Sequence, residues 1–446
     1  MKTAEALVPQ KLRKMFATEY LDLAKVMGGA FSRNLLRGLL KILIAGFLAP
    51  QALGILHSVY SFFRIMARLA EFGLNYGMVR FVARAIQKGE QDEKDQVLKI
   101  VLYLNILIIL GFLLIWNVSA EKIADWILSD PGLTIYVRLA ALAVAGQLLW
   151  QYISSYLSAH QDFGKLAFFL ATMPFIMLVM ALILMILNWF NLPAGILIYL
   201  FAPVVTVLMW WPALNWRFVK YSAWDMELMG SIIRFSRWVY FTKVISSART
   251  HANTLFLKNT WLSGSLAVGE ANAGLYSFGS AMAGQIGMFS ESLYKVLLPK
   301  ASSKTDTRQL RRFVKRSYRN LAILIVPLAL LIFLAKPMIH LLAYFKDSYL
   351  EYLPSLQVFV ILYAGSLFSL AAIPMKIFLY ALKLPQIETY VETIMSLVMV
   401  GGSILLIPRY GYTGAATMVF VARALSFGAI FSYGLIKLKN VDLEIT

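Results

Sequence analysis

The chain has 446 residues, of which 60% are hydrophobic, with a mean hydropathy of +0.69 and a formal net charge of +19. A soluble globular domain is roughly 45–50% apolar, so this excess has no single core to fill and a soluble fold is excluded. The sequence has no cysteine, which excludes disulfides and thiolate metal sites and leaves the redox compartment unread.

The first 20 residues are polar and basic and lack the pattern of a cleavable signal peptide. The first spanning helix is therefore expected to serve as the targeting signal. Apolar stretches recur from there on, each long enough to cross a hydrocarbon layer about 30 Å thick. They predict spans at Leu21–Leu48, Leu53–Arg84, Val97–Trp116, Ile135–Ser158, Leu166–Leu187, Ala194–Trp216, Ile232–Leu257, Ala273–Leu297, Leu321–Leu334 (extended back toward Phe313), Leu353–Met375, Tyr390–Ile407 and Ala415–Ile436. Pro50, Pro131, Pro193, Pro385 and Pro408 punctuate them. The expected fold class is an all-α polytopic membrane protein with about twelve transmembrane helices.

The first span carries Lys25, Arg33, Arg37 and Lys41, the last three on one helix face. A guanidinium near mid-span costs at least about 2.5 kcal/mol in the bilayer, so Arg33 and Arg37 cannot face lipid. The second span places Arg64, Arg68 and Glu71 on one face, with Arg80 nearer one end. Between spans three and four, Glu121–Leu128 reads as an amphipathic surface segment, and span four carries Gln147 and Gln151 one turn apart. The seventh span adds Lys243, Ser246, Ser247, Thr250 and Thr254 along a stripe, with Arg249 and Asn253 beside it. Glu291 is the main acid of the eighth span, Glu392 lies near an end of the eleventh, and the twelfth adds Arg423.

Charge between the spans is asymmetric. Alternate connections, counted with both termini, hold 26 Lys and Arg, against 5 in the intervening ones. The positive-inside rule then predicts a multi-pass protein of the inner (cytoplasmic) membrane with both termini cytoplasmic. The basic run Lys304–Arg319 is expected to meet anionic lipid headgroups rather than nucleic acid.

Two readings of the intramembrane charges stand side by side. They form salt bridges that fix packing, as Arg68 with Glu71 could, or they line a water-filled lumen that takes an anion. Acids are too few to neutralise the set, and uncompensated guanidinium groups in a low-dielectric cavity favour an anion, phosphate oxygens in particular. The candidate substrate-binding residues are Arg33, Arg37, Lys41, Arg64, Arg68, Lys243, Arg249 and Arg423. Glu71 and Glu291 are candidates for proton coupling. No Walker A string, zincin motif or Ser/His/Asp arrangement is present, and His57, His160, His251 and His340 form no ligand pattern. The expectation is therefore of no enzyme, catalytic residue, cofactor or metal.

A short repeat recurs at an offset of 220, with Gly54–Tyr60 after span one and Gly274–Ser280 after span seven. Such repeats are common in transporters built from two parallel halves.

Three further elements lie along the chain in order. Ala49-Pro50-Gln51-Ala52-Leu53-Gly54 leads to Ala70-Glu71-Phe72-Gly73-Leu74 and Arg80-Phe81-Val82-Ala83-Arg84. Val268-Gly269-Glu270-Ala271-Asn272-Ala273-Gly274-Leu275-Tyr276-Ser277 is closed by Leu298-Pro299, and Tyr410-Gly411-Tyr412-Thr413-Gly414 opens the last span. In these the chain resembles the polysaccharide-export (Wzx-like) flippases of the multidrug/oligosaccharidyl-lipid/polysaccharide (MOP) exporter superfamily. Leu53 stands where that family usually has Tyr, and Glu71 where it has Asp. The resemblance implies two six-helix lobes, 1–220 and 221–446, around a central cavity open to each membrane face in turn. It also implies a lipid-diphosphate-linked oligosaccharide as substrate, membrane lipids and other polysaccharide-assembly proteins as partners, and no ATP hydrolysis. The alternatives are a cation-coupled multidrug (MATE-like) exporter, disfavoured by the basic first span, and a membrane glycosyltransferase or polymerase, disfavoured by outer loops of about 18 residues at most.

Overall fold

The computed structural model describes residues 28–443 apart from 30, 222–223, 288, 291–292, 294–296, 298–300, 302–306 and 383. Helices account for the architecture, and no strand occurs among the described residues. The N-terminal half comprises α1 (31–45), α2 (Pro50–Ala70), α3 (Leu74–Lys88), α4 (Gln91–Trp126), α5 (Thr134–Ala159), α6 (Phe163–Ile186) and α7 (Leu192–Trp210). The C-terminal half comprises α8 (Met226–Lys258), α9 (Leu266–Ala283), α10 (Thr307–Leu330), α11 (Ala335–Phe345), α12 (Ser355–Ala371), α13 (Ile373–Ala381) and α14 (Pro385–Leu443).

Local chemistry sets several starts. Asp162, Asn191 and Asp225 cap α6, α7 and α8, each side-chain oxygen accepting a backbone N–H of the first turn at 2.9–3.1 Å. Helix α14 has 59 residues, about 90 Å of helix, far more than one bilayer crossing needs. It breaks at Gly411 (φ 54, ψ −133) and so supplies the eleventh and twelfth spans.

Seven stretches among the described residues are long and apolar enough to cross a membrane on length and composition alone. They correspond to spans three to six and nine to twelve. The helices of the other four spans, α1, α2 with α3, α8 and α9, fall outside that set. They carry most of the charges that the sequence places inside the spans, and they pack around the molecule's centre, where lipid does not dictate composition.

Helix α4 runs unbroken through Glu121 to Trp126, and the Glu121 carboxylate accepts from Arg138 on α5 at 3.2 Å. The second span is two helices, α2 and α3, rather than one. It breaks at Glu71–Gly73, where Phe72 (φ 48) and Gly73 (φ 70) both adopt left-handed backbone. That conformation costs a bulky residue about 1–2 kcal/mol, and Phe72 stacks on Tyr240 of α8, ring centroids 5.2 Å apart.

The 220-residue repeat becomes the seam between the halves. Gly54 of α2 lies against Glu270 and Gly274 of α9, and Gly274 against Pro50 and Gly54. A Cβ on either glycine would collide with the opposing backbone, so equivalent helices cross there in direct contact. Around this crossing the face poor in basic residues is sealed. Ser348, Tyr349 and Tyr352 donate to the carbonyls of Gly46, Ile42 and Leu48 at 2.6, 3.0 and 2.6 Å. Lys258 is fully buried, its Nζ donating to Leu128 O (2.9 Å) and Glu270 Oε1 (3.2 Å), with Asp130 Oδ2 at 4.0 Å. Toward the base-rich face, Arg80 of α3 sits over the Phe235 ring of α8, 4.4 Å from its centroid.

Candidate functional site

Beneath the sealed face lies a cavity of about 470 Å³ between the halves. Helices α1 and α2 supply Lys41, His57, Tyr60 and Ser61 to its lining; α8, α9, α12, α13 and α14 supply most of the rest. The lining thus draws on spans one, two, seven, eight, ten, eleven and twelve.

On the N-terminal side, the spacing of α1 and α2 turns their cations inward around Tyr60. Arg37 lies within electrostatic reach of Arg33 and of the Tyr60 and Tyr199 phenols, and Lys41 within reach of Tyr60 and Arg37. Tyr60 and Tyr199 meet edge to face with centroids 4.8 Å apart. Arg64 donates through Nη1 to Gln147 Oε1 at 3.1 Å. Arg68 pairs with the buried Glu71 one turn on, and the Gln151 amide, turned to donate, reaches both Glu71 oxygens at 2.5 and 2.9 Å. The two glutamines of span four therefore serve the charges of span two. Among the described residues no carboxylate bonds to Arg37, Lys41 or Arg64.

The C-terminal side is built differently. Arg249 of α8 pairs with Glu392 of α14. Lys376 of α13 lies 2.8 Å from both Glu388 and Glu392, and Ser426 donates to Glu392 at 3.3 Å. Arg423 reaches across to α12, donating through Nη1 to Leu362 O (3.1 Å) and Ser366 Oγ (2.7 Å). Arg249 is thus not an uncompensated cation, and Lys376 and Glu392, placed by the sequence in a loop and near a span end, form the middle of a network on the cavity wall. The hairpin of α13 and α14 brings them together.

Of the predicted site residues, Lys41, Arg249 and Arg423 line the cavity. Arg33, Arg37, Arg64 and Arg68 extend the charge along α1 and α2 from the Tyr60 wall. Lys243 lies on α8, its side chain outside the described residues, as is Glu291 altogether. Sequence reasoning passed over His57 and His251. Both flank Tyr60, at 6.5 and 6.1 Å between centroids, and His251 Nδ1 is 3.3 Å from Ser61 Oγ. The signal was available: His57, Ser61, Arg64 and Arg68 continue one face of α2, and His251 adjoins the polar stripe of α8. Among the described residues no cluster of His and acidic groups could hold a metal ion.

The chain matches the family described as polysaccharide biosynthesis protein over residues 43–354. No curated protein matches it by sequence. Solved structures share its fold, three of them as follows. An inward-facing multidrug resistance MATE family transporter of the MOP superfamily superimposes with a TM-score of 0.74 at 14% identity, covering 94% of this chain and 99% of its own. The lipid II flippase MurJ, in an inward closed conformation, gives 0.68 at 16% identity, covering 93% and 89%. An outward-facing MATE family transporter of the MOP superfamily gives 0.62 at 14%, covering 94% and 95%.

Proposed function

We propose that this chain, which belongs to the polysaccharide biosynthesis protein family, is a membrane flippase. It carries a lipid-diphosphate-linked oligosaccharide from the cytoplasmic to the outer leaflet of the inner membrane for cell-surface polysaccharide assembly. The observation that carries this reading is the N-terminal cation set: Lys41 lines the cavity, Arg64 donates to the Gln147 amide oxygen, and among the described residues no carboxylate bonds to Arg37, Lys41 or Arg64. Holding several cations together is costly unless an anion arrives. A diphosphate offers multiple oxygens to forked guanidinium groups, each charge-assisted bond contributing about 1.5–3 kcal/mol. A cationic drug would meet repulsion there.

The base-rich face is cytoplasmic by the 26-to-5 distribution of basic residues. The sealed face is then the outer one, so the chain is in its loading state. Residues 1–220 and 221–446 act as two lobes, and a substrate bridging both walls biases their relative position. Transport requires breaking the Lys258 contacts and the Tyr349 and Tyr352 bonds that close the outer side.

The test is cell-surface glycan in expression-matched cells. Arg37→Ala with Arg64→Ala abolishes it while membrane insertion is retained, and the Arg→Lys pair restores part, since charge remains and the fork is lost. Full surface glycan with the alanine pair would overturn the reading.

A further inference from the structure

Resting on that function, we infer that the C-terminal wall of the cavity is a glycan subsite that reads uncharged sugar residues, with Glu392 and Lys376 as its polar anchors. The substrate is then held in two parts, its diphosphate on the N-terminal cations and its first sugars on this wall.

The first support is charge. Arg249, Lys376 and Arg423 are set against Glu388 and Glu392, which bond to two of them. Two of its three cations are therefore neutralised, whereas among the described residues no carboxylate bonds to Arg37, Lys41 or Arg64. The second is where the network lies. The side chains of Arg249, Glu392 and Lys376 are 37%, 28% and 15% exposed, and all three line the cavity. Ion pairs placed only to fix packing would be closed off from it.

The third support is hydrogen-bonding polarity. Thr250, Ser280, Ser366 and Ser369 line the cavity, and each donates its hydroxyl proton to a carbonyl of its own helix at 2.8–3.4 Å. Thr250, Ser280 and Ser369 therefore present acceptor oxygens to the cavity, while the Ser366 oxygen also accepts from Arg423. Glu392 adds carboxylate acceptance beyond the bonds from Lys376, Arg249 and Ser426, since two carboxylate oxygens hold about four lone-pair positions. Sugar hydroxyls are the complementary donors, and Lys376 answers their oxygens. The rings of Tyr276 and Phe427 close the lining and supply apolar faces for sugar C–H edges. The volume, about 470 Å³, lies within the range of small-ligand sites, about 300–1,000 Å³.

The experiment measures binding to purified full-length protein by native mass spectrometry with two probes. One is a sugar-free polyprenyl diphosphate; the other is the lipid-linked oligosaccharide extracted from the host membrane. Wild type is expected to bind the second more tightly. Glu392→Gln should weaken that probe about tenfold or more and leave the sugar-free probe within about twofold. Ser280→Ala with Ser369→Ala, which changes no charge, should move the same probe in the same direction and so guards against a folding defect in Glu392→Gln. Arg37→Ala weakens both probes. Wild type that binds the two probes equally, or variants that lose both equally or neither, would overturn the subsite alone. Wild type that binds neither would overturn the functional reading and the subsite with it.

Discussion

The two halves of the molecule hold their cations in different ways. In the N-terminal half, Arg37, Lys41 and Arg64 rest on tyrosines and a glutamine. In the C-terminal half, Arg249 and Lys376 rest on Glu392 and Glu388. The helices that display them begin alike, with Gly54 and Gly274 meeting in the same crossing. One scaffold therefore carries two arrangements: Arg37, Lys41 and Arg64 with no carboxylate bonded to them among the described residues, beside the Arg68–Glu71 pair, and a C-terminal network in which two of three cations have acids. On the proposed function, the first serves the diphosphate and the second something uncharged.

The shared part of the comparison breaks most violently. Gly54→Val and Gly274→Val each drive a branched side chain into opposing backbone, and each is expected to abolish accumulation of folded protein, read by fluorescence-detected size exclusion. If one of the two is tolerated, the crossing is not equivalent on its two sides.

The charge difference predicts opposite signs for loss of one charge. Glu392→Gln strips Arg249 and Lys376 of a partner. Because the pair is partly exposed, the cost is discounted from the roughly 3–5 kcal/mol of a fully buried pair to about 1–2 kcal/mol, visible as a lowered Tm in detergent. Adding Arg249→Gln should return part of the loss, a non-additivity expected of residues in contact. On the other wall, Lys41→Gln removes a cation from among like charges and should raise the Tm while reducing surface glycan, the usual trade between stability and a working site. A fall in Tm for Lys41→Gln would mean that the N-terminal wall is satisfied after all.

The smallest effect concerns the seal. Lys258→Met keeps bulk and removes the bonds to Leu128 and Glu270. It should shift the population toward opening of the sealed face without unfolding. The chain lacks cysteine, so spin labels at Ser129→Cys and Thr260→Cys report that distance directly. An unchanged distribution in Lys258→Met would show that the tyrosine bonds hold the seal alone.

Much of this architecture was legible in the sequence. Hydropathy placed spans three to six and nine to twelve because lipid contact constrains composition residue by residue. The 220-residue offset marked the seam because only glycine permits so close a crossing. Arg68 and Glu71 could be paired because three residues apart on a helix means one face. The bend at Glu71–Gly73 and the full length of α4 were not visible, since hydropathy reports where lipid is and not where a helix turns or ends. The C-terminal network escaped for another reason: Arg249 and Glu392 are 143 residues apart, and only tertiary packing brings them together. His57 and His251 escaped likewise, each being one polar residue on an otherwise ordinary stripe.

The most direct measurement is the affinity of purified protein for a sugar-free polyprenyl diphosphate across a salt series, for wild type, Arg37→Ala with Arg64→Ala, and Arg249→Ala. The wall comparison predicts salt-sensitive binding by wild type, loss of about 100-fold or more for the N-terminal pair, and a change within about threefold for Arg249→Ala. Equal losses from the two walls, or undiminished binding by Arg37→Ala with Arg64→Ala, would contradict it.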